Sequence, residues 1–237
     1  MTEEINIEKT DPHTSTTSVS WGAREVIYGI IAMILFSAGM LLANQFLAFE
    51  SNAVIVIYEA AYLLPAIAVL FLKRASWREL RLNRFPFSEL LVGFALLFIA
   101  YMVIILHNLT LIYFDIAPQA EYMMQLFDME LNFWVLGIAV VVIAPISEEI
   151  FFRSFVYAGL VERFGWQKAV LISALIFGAA HMQLVAFLPT FLMGLVLAYL
   201  YERSQSVVPS IILHFSVNGF GFTMIYLLTT YGENLVF

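Results

Sequence analysis

Residues 131–163 read LNFWVLGIAVVVIAPISEEIFFRSFVYAGLVER. The first half is an apolar run of the kind a membrane-spanning helix needs, about 20 mainly apolar residues. The stretch then takes in Glu148, Glu149 and Arg153 with phenylalanine and isoleucine around them. A charged side chain at membrane depth costs from about 3 to more than 10 kcal/mol, so such residues face a bundle interior or a wet cavity and mark function. The stretch is too long for a simple span, so its second half should project past the bilayer or break. Pro145 inside it removes one backbone donor, which predicts a kink just ahead of Glu148.

The rest of the chain agrees with a membrane protein. Of 237 residues, 62% are hydrophobic and only 12% charged, against about 25% charged in soluble domains. The mean hydropathy is +0.89. There is no cysteine, which excludes disulfides and thiolate chemistry. The net charge of −7 says little about partners, and no nucleic-acid partner is expected. Residues 1–23 are polar, rich in Thr, Ser and Glu, and lack the basic start and apolar core of a signal peptide. They read as a disordered cytoplasmic tail, ahead of a single integral membrane domain over 24–237.

Apolar runs predict helices at 24–49, 53–73, 88–114, 131–163, 168–182, 184–203 and 207–231. The fold class is therefore all-α: a polytopic membrane helix bundle of about seven spans, or eight if the fourth helix divides. Positive charge orients it. With the N-terminus inside, Lys9, Arg24, Lys73, Arg74, Arg78, Arg81, Arg84, Arg163, Lys168 and Arg203 all fall on the cytoplasmic side. The external loops carry Glu50, Asp115, Glu121, Asp128, Glu130 and Glu233 instead. Only Arg153 lies at depth. The cell membrane is the expected location, with the C-terminus outside.

Two further strings place polar groups in apolar helices: Phe177-Gly178-Ala179-Ala180-His181 and His214-Phe215-Ser216-Val217-Asn218. Glu148 and His181 each lie about 25 Å from the turn near 164–167 at helical rise, so they are level in an antiparallel hairpin. His214, about 14 Å beyond the turn at 204–206, joins that level if the first hairpin protrudes further into the cytoplasm. Glu149 and Arg153 are four apart and can pair, as are His214 and Asn218, which share a face. Glu148 is left free to point with His181 and His214 at one spot. A carboxylate beside two imidazoles can hold and deprotonate a water, or the three can serve a metal as ligands.

At these residues the chain resembles the CPBP family, which comprises type II, glutamate-dependent CAAX prenyl endopeptidases and bacterial bacteriocin-processing or lysostaphin-resistance proteins. The order EExxxR, FxxxH, HxxxN on successive membrane helices carries the resemblance. It runs from about Val135 to Tyr226 and takes in Ala144-Pro145-Ile146, Gly194, Glu202-Arg203-Ser204 and Pro209-Ser210-Ile211. What it implies is intramembrane endoproteolysis of a membrane-anchored, in some members prenylated, protein or peptide. Glu148 would be the catalytic glutamate that activates water, Glu149 and Arg153 an auxiliary pair, and His181 and His214 the two essential histidines. Asn218 would steady an oxyanion. The resemblance leaves open one divalent metal such as zinc, held by Glu148, His181 and His214; the set lacks the HExxH signature. Ser154 stands where many members have glycine, a change expected to alter packing at most.

The bland readings differ from residue to residue. A structural ion pair with Arg153 accounts for one of the two glutamates and leaves the other in excess. His181 alone would be a satisfied core histidine, and Asn218 a helix-to-helix glue. Glu59, mid-helix near Pro65, has no evident partner and is a candidate lining residue. His107 and Asn108 read as interfacial, Phe177 as packing, and Arg74, Arg78, Arg81 and Arg84 as a topology determinant. Two functions of other classes compete: a catalytically silent scaffold for a partner membrane protein, and a proton-coupled transporter. The intact polar set argues against the first and the lack of an internal repeat against the second. The site is expected to open to the cytoplasm, with the turn at Met182–Leu184 closing the other end. In this cysteine-free chain, Arg84→Cys should react with a membrane-impermeant thiol reagent only after the cells are opened, and Asp115→Cys in intact cells. Labelling of Arg84→Cys from outside would reverse the orientation.

Overall fold

The structure is a computed structural model that describes residues 18–47, 50–128 and 131–231. Most of the expected tail (1–17), Glu130 and Glu233 lie outside the described residues. Those described form helices and no strand: α1 Ala23–Leu47, α2 Ser51–Ala60, α3 Leu63–Lys73, α4 Ser88–Tyr113, α5 Gln119–Asp128, α6 Phe133–Phe164, α7 Trp166–Ala180, α8 Leu184–Ser204 and α9 Val208–Tyr231, with a 3-10 turn at Trp77–Leu80. Each boundary has a local cause. Asn132 caps α6, its Oδ1 accepting from Trp134 N–H at 3.0 Å and Val135 N–H at 3.3 Å. Glu50 caps α2 through Ala53 N–H at 2.7 Å. Ser76 and Glu79 form a capping box on the 3-10 turn. Gly165, at φ +76°, divides α6 from α7.

Among the described residues, five helices are long and apolar enough to cross a membrane: α1, α4, α6, α8 and α9. The expected single span over 53–73 is two helices bent by 44°. Pro65 sits in the first turn of α3, where its missing N–H is tolerated, and Leu64 N–H takes Ala61 O at 2.9 Å instead. Counting that pair as one span gives six. α7 has 15 residues, about 22 Å of helix, which is short for a span. α6 does not divide, so it supplies no eighth span. Wide π-helical turns at Ala139–Ile143 and Ile150–Tyr157 absorb the strain instead. α5, a short helix between α4 and α6, was read as loop in the sequence; its apolar residues are too few for a membrane pattern.

The polar tail ends earlier than expected. Trp21 is 3% exposed and donates from Nε1 to Phe155 O at 3.0 Å. The basic loop before α4 is also partly interior: Leu80 and Arg81 are buried, and Arg81 Cζ lies 5.2 Å from the Tyr201 ring centre. Arg81 is thus part of the core as well as of the basic end.

α7 and α8 pack closely at Gly194, where a Cβ would stand 3.1 Å from Ala174 Cα and 3.2 Å from Phe177 Cδ1. Small residues at such crossings let membrane helices approach. Gly194→Leu should force the pair apart and lower stability by about 1–3 kcal/mol, the range for overpacking. Thermal unfolding in detergent checks this, and an unchanged midpoint would refute the close contact.

Candidate active site

α6 brings Glu148, Glu149 and Arg153 into the bundle, and all three are buried, Glu149 and Arg153 completely. Arg153 Nε lies 3.1 Å from Glu149 Oε2, the expected pair one turn apart. Its Nη2 donates to Gly194 O at 3.3 Å, and its Cζ stands 4.5 Å from the centre of the Phe177 ring. The guanidinium is therefore neutralised by one carboxylate and covered by an aromatic face, as a desolvated cation requires. The other oxygen of Glu149 accepts from α9: Oε1 is 2.8 Å from His214 Nδ1.

His214 is 3% exposed. With Nδ1–H donated to Glu149, the tautomer assigned by that partner leaves Nε2 pointing the other way. Nε2 stands 4.0 Å from Glu148 Oε2, beyond direct hydrogen-bond reach. Glu148 Oε2 is buried and has no hydrogen-bond partner among the described residues. One imidazole thus sits between two glutamates, bonded to one and facing the other across a gap. The sequence reading brought His214 to Glu148 but did not foresee its bond to Glu149. Trp166, at the start of α7, packs beside Tyr199 of α8, ring centres 6.5 Å apart. The wide turns of Ile150–Tyr157 climb less per residue than an α-helix and bring Glu149 closer to that end.

His181 caps the C-terminal end of α7, half-buried, with Nδ1 2.9 Å from Phe177 O. Its ring centre is 4.9 Å from that of Phe177, and the His214 ring is 5.8 Å from the same phenylalanine. Phe177 therefore packs against both imidazoles while its ring also meets Arg153. Among the described residues no hydrogen bond or ion pair joins His181 to Glu148. Nor are any three His, Asp or Glu side chains among them placed to hold a metal ion. The donor set Glu148, His181 and His214 does not fit a three-ligand centre in this arrangement.

Asn218 ties α9 to α6, the helix-to-helix role weighed for it from the sequence. Ala144 N–H reaches Ala139 O, five residues back. The same pattern would pair Val140 O with Pro145, which has no N–H. Asn218 Nδ2 fills that place, donating to Val140 O at 2.9 Å. Ser154 also does more than pack: its Oγ donates to Leu80 O at 2.7 Å. A second buried cluster lies at the basic end, where Tyr157 OH donates to Glu202 Oε2 at 2.6 Å beside Tyr201. Nothing in the local spacing of the sequence pairs Tyr157 with Glu202. His107, read as interfacial, bonds Val185 O through Nε2 at 3.1 Å.

Residues 130–220 match the type II CAAX prenyl endopeptidase Rce1-like family. The match holds all six site residues and covers less than half of the chain. Over 99 residues the chain is 32% identical to "UPF0177 protein YxdF" of Lactococcus lactis subsp. lactis (strain IL1403), covering 41% of this chain and 52% of that protein. Over 79 residues it is 37% identical to "Putative membrane peptidase YdiL" of Bacillus subtilis (strain 168), covering 33% of this chain and 32% of that protein. The chain thus spans about half the length of one curated relative and about a third of the other. No solved structure matches it. The apolar helices make this an integral membrane protein, and its segment 130–220 is similar to the type II CAAX prenyl endopeptidase Rce1-like family.

Removing Arg153 would strand a fully buried carboxylate, at a cost of roughly 3–5 kcal/mol. Arg153→Ala should therefore unfold at markedly lower temperature and accumulate poorly. Wild-type stability with activity lost would instead make Arg153 part of the chemistry.

Proposed function

We propose that the chain is an intramembrane endopeptidase that cuts a membrane-anchored protein or peptide by water activated at Glu148. The observation that carries this reading is the unpartnered, buried Oε2 of Glu148 facing His214 Nε2 across 4.0 Å. A gap of that size between a carboxylate and an imidazole nitrogen suits a shared water, or a water and the reacting carbonyl beside it. Glu148 takes the proton of the attacking water and returns it to the leaving amine as the peptide bond breaks. Glu149 fixes the tautomer of His214, and Arg153 holds Glu149 in place.

His181, with Nδ1 turned to Phe177 O, offers Nε2 to the substrate. The second amide N–H of Asn218 is the candidate donor for the developing oxyanion, while His181 Nε2, left without a proton by the bond at Nδ1, accepts from the substrate. Every step is carried by these side chains, and none is routed through a metal. Prenylated tails belong to the proposed substrate class by family resemblance alone.

The basic end is placed in the cytoplasm of the cell. His214 lies six residues after Val208, about 9 Å along α9 from that end. This supports a site that opens towards the cytoplasm and a cut on the inner side of the bilayer.

Glu148→Gln keeps the shape and removes the base. It should reduce turnover of a membrane-anchored reporter by about 10²-fold or more with the fold intact, as loss of a positioned general base does. Near-wild-type turnover would refute the assignment. His214→Ala combined with Glu148→Gln should be no worse than the more severe single variant if they act as a unit. Mass spectrometry of the products gives the cut position, and a cut in an external loop would overturn the inward-facing site.

A further inference from the structure

α2 and α6 run side by side in the same direction, tied at their starts by Asn132 N–H donating to Asn52 Oδ1 at 2.8 Å. α2 stops where its path breaks, and Tyr62 in that break packs on α6, its ring 5.6 Å from Phe151 and 5.7 Å from Phe152. Glu59 lies one turn before Tyr62, and Glu148 one turn before Phe151 and Phe152. In parallel helices this puts the two carboxylates at one level. Glu148 acts electrostatically on Glu59, and Tyr62 feels both.

Three observations point to a ligand here. Glu148 is only 9% exposed, with an unpartnered oxygen. Non-helical backbone at membrane depth is tolerated where it is packed in protein or lines a cavity, and the break at Ala61–Tyr62 adjoins Glu59. Finally, the charges do not balance. Glu59, Glu148 and Glu149 are three acids; Arg153 is engaged by Glu149, His214 lies between Glu148 and Glu149, and neither basic group reaches Glu59. Glu59 has no hydrogen bond or ion pair among the described residues. It also occupies the last turn of α2, the negative end of the helix dipole, where an acid is unfavourable without a cation.

We propose that Glu59 forms a subsite for a cationic side chain of the substrate, a lysine or arginine next to the cleaved bond on the α2 side. This rests on the endopeptidase reading and adds a specificity residue to it. Glu59 takes the ammonium or guanidinium, leaving Glu148 free for water. Lysine and arginine are costly at membrane depth and favour such a partner.

The test uses the full-length protein in lipid nanodiscs and internally quenched single-span peptides. In these peptides one residue at successive positions around the cut is lysine, norleucine or glutamate. The readout is the ratio of kcat/KM for lysine over norleucine. At one position the wild type should favour lysine by about tenfold or more, the scale of a desolvated charge-assisted contact. Glu59→Gln should bring that ratio close to one, and Glu59→Lys should turn the preference towards glutamate. A wild-type ratio near one at every position, or a preference that survives Glu59→Gln, overturns the subsite. So does a lysine preference that appears only with EDTA and is lost with added zinc, because a metal would then be the cation at Glu59. Failure of the endopeptidase reading is read separately, as turnover that persists in Glu148→Gln.

Discussion

A fully buried guanidinium sets the terms for the rest of this bundle. Arg153 has no exposed surface, and a cation so placed is tolerable only when charge and hydrogen bonding are both supplied locally. Glu149 supplies the charge, Gly194 O a hydrogen bond and the Phe177 ring a negative face. Each demand constrains a different helix. Glu149 must sit one turn earlier on α6, α8 must come close enough to offer a carbonyl, and α7 must present an aromatic ring. Gly194 meets two of these constraints at once, because the residue that lets α7 and α8 approach also provides the acceptor. His214 is then held by the free oxygen of Glu149, which leaves its far nitrogen for Glu148. The candidate base is thus the one acid of its string that is not tied into the compensation network.

The departures from ideal helix geometry lie where the polar groups are. Pro145 deprives α6 of a donor just before the glutamates, the wide turn at Ala139–Ile143 takes up the misfit, and Asn218 answers the orphaned Val140 carbonyl from α9. An asparagine that repairs a backbone in this way also fixes how α9 sits against α6, and so where His214 falls one turn earlier. In a bilayer no water is at hand to satisfy an exposed carbonyl, so such a repair has to come from a neighbouring helix.

Much of this was legible in the sequence. The helices fall close to the apolar runs, because hydropathy over 20 residues is a strong signal and few competing structures can cross a membrane. The Glu149–Arg153 pair followed from a spacing of four. What escaped the reading has physical reasons. A helix break at Ala61–Tyr62 depends on tertiary packing of Tyr62 against two phenylalanines, and Pro65 alone does not announce it. The bond from His214 to Glu149 and not to Glu148 is a matter of rotation about α6, and the wide turns change that rotation by an amount no periodicity reveals. Arg81 was counted with the topology-setting cations because its neighbours in sequence are basic and exposed. Its burial against Tyr201 depends on how the 3-10 turn enters the bundle.

The matched segment does not build the site alone. Residues 18–128 lie outside the region shared with the family, yet they pack directly on the motif helix: Trp21 donates to Phe155 O, Tyr62 covers Phe151 and Phe152, and Leu80 O receives Ser154. The last contact bears on the one departure from the family pattern. A glycine at 154 would leave Leu80 O without its hydroxyl partner, a loss of about 1–3 kcal/mol for a buried acceptor. Serine at this position fits a chain in which the loop before α4 runs into the bundle, beside the Tyr157–Glu202 cluster and one residue from Arg153. The substitution is best understood as part of how the N-terminal helices of this protein are fastened to the motif helix. On that view a single hydroxyl fastens the loop to the motif helix, since Ser154 Oγ donates to Leu80 O.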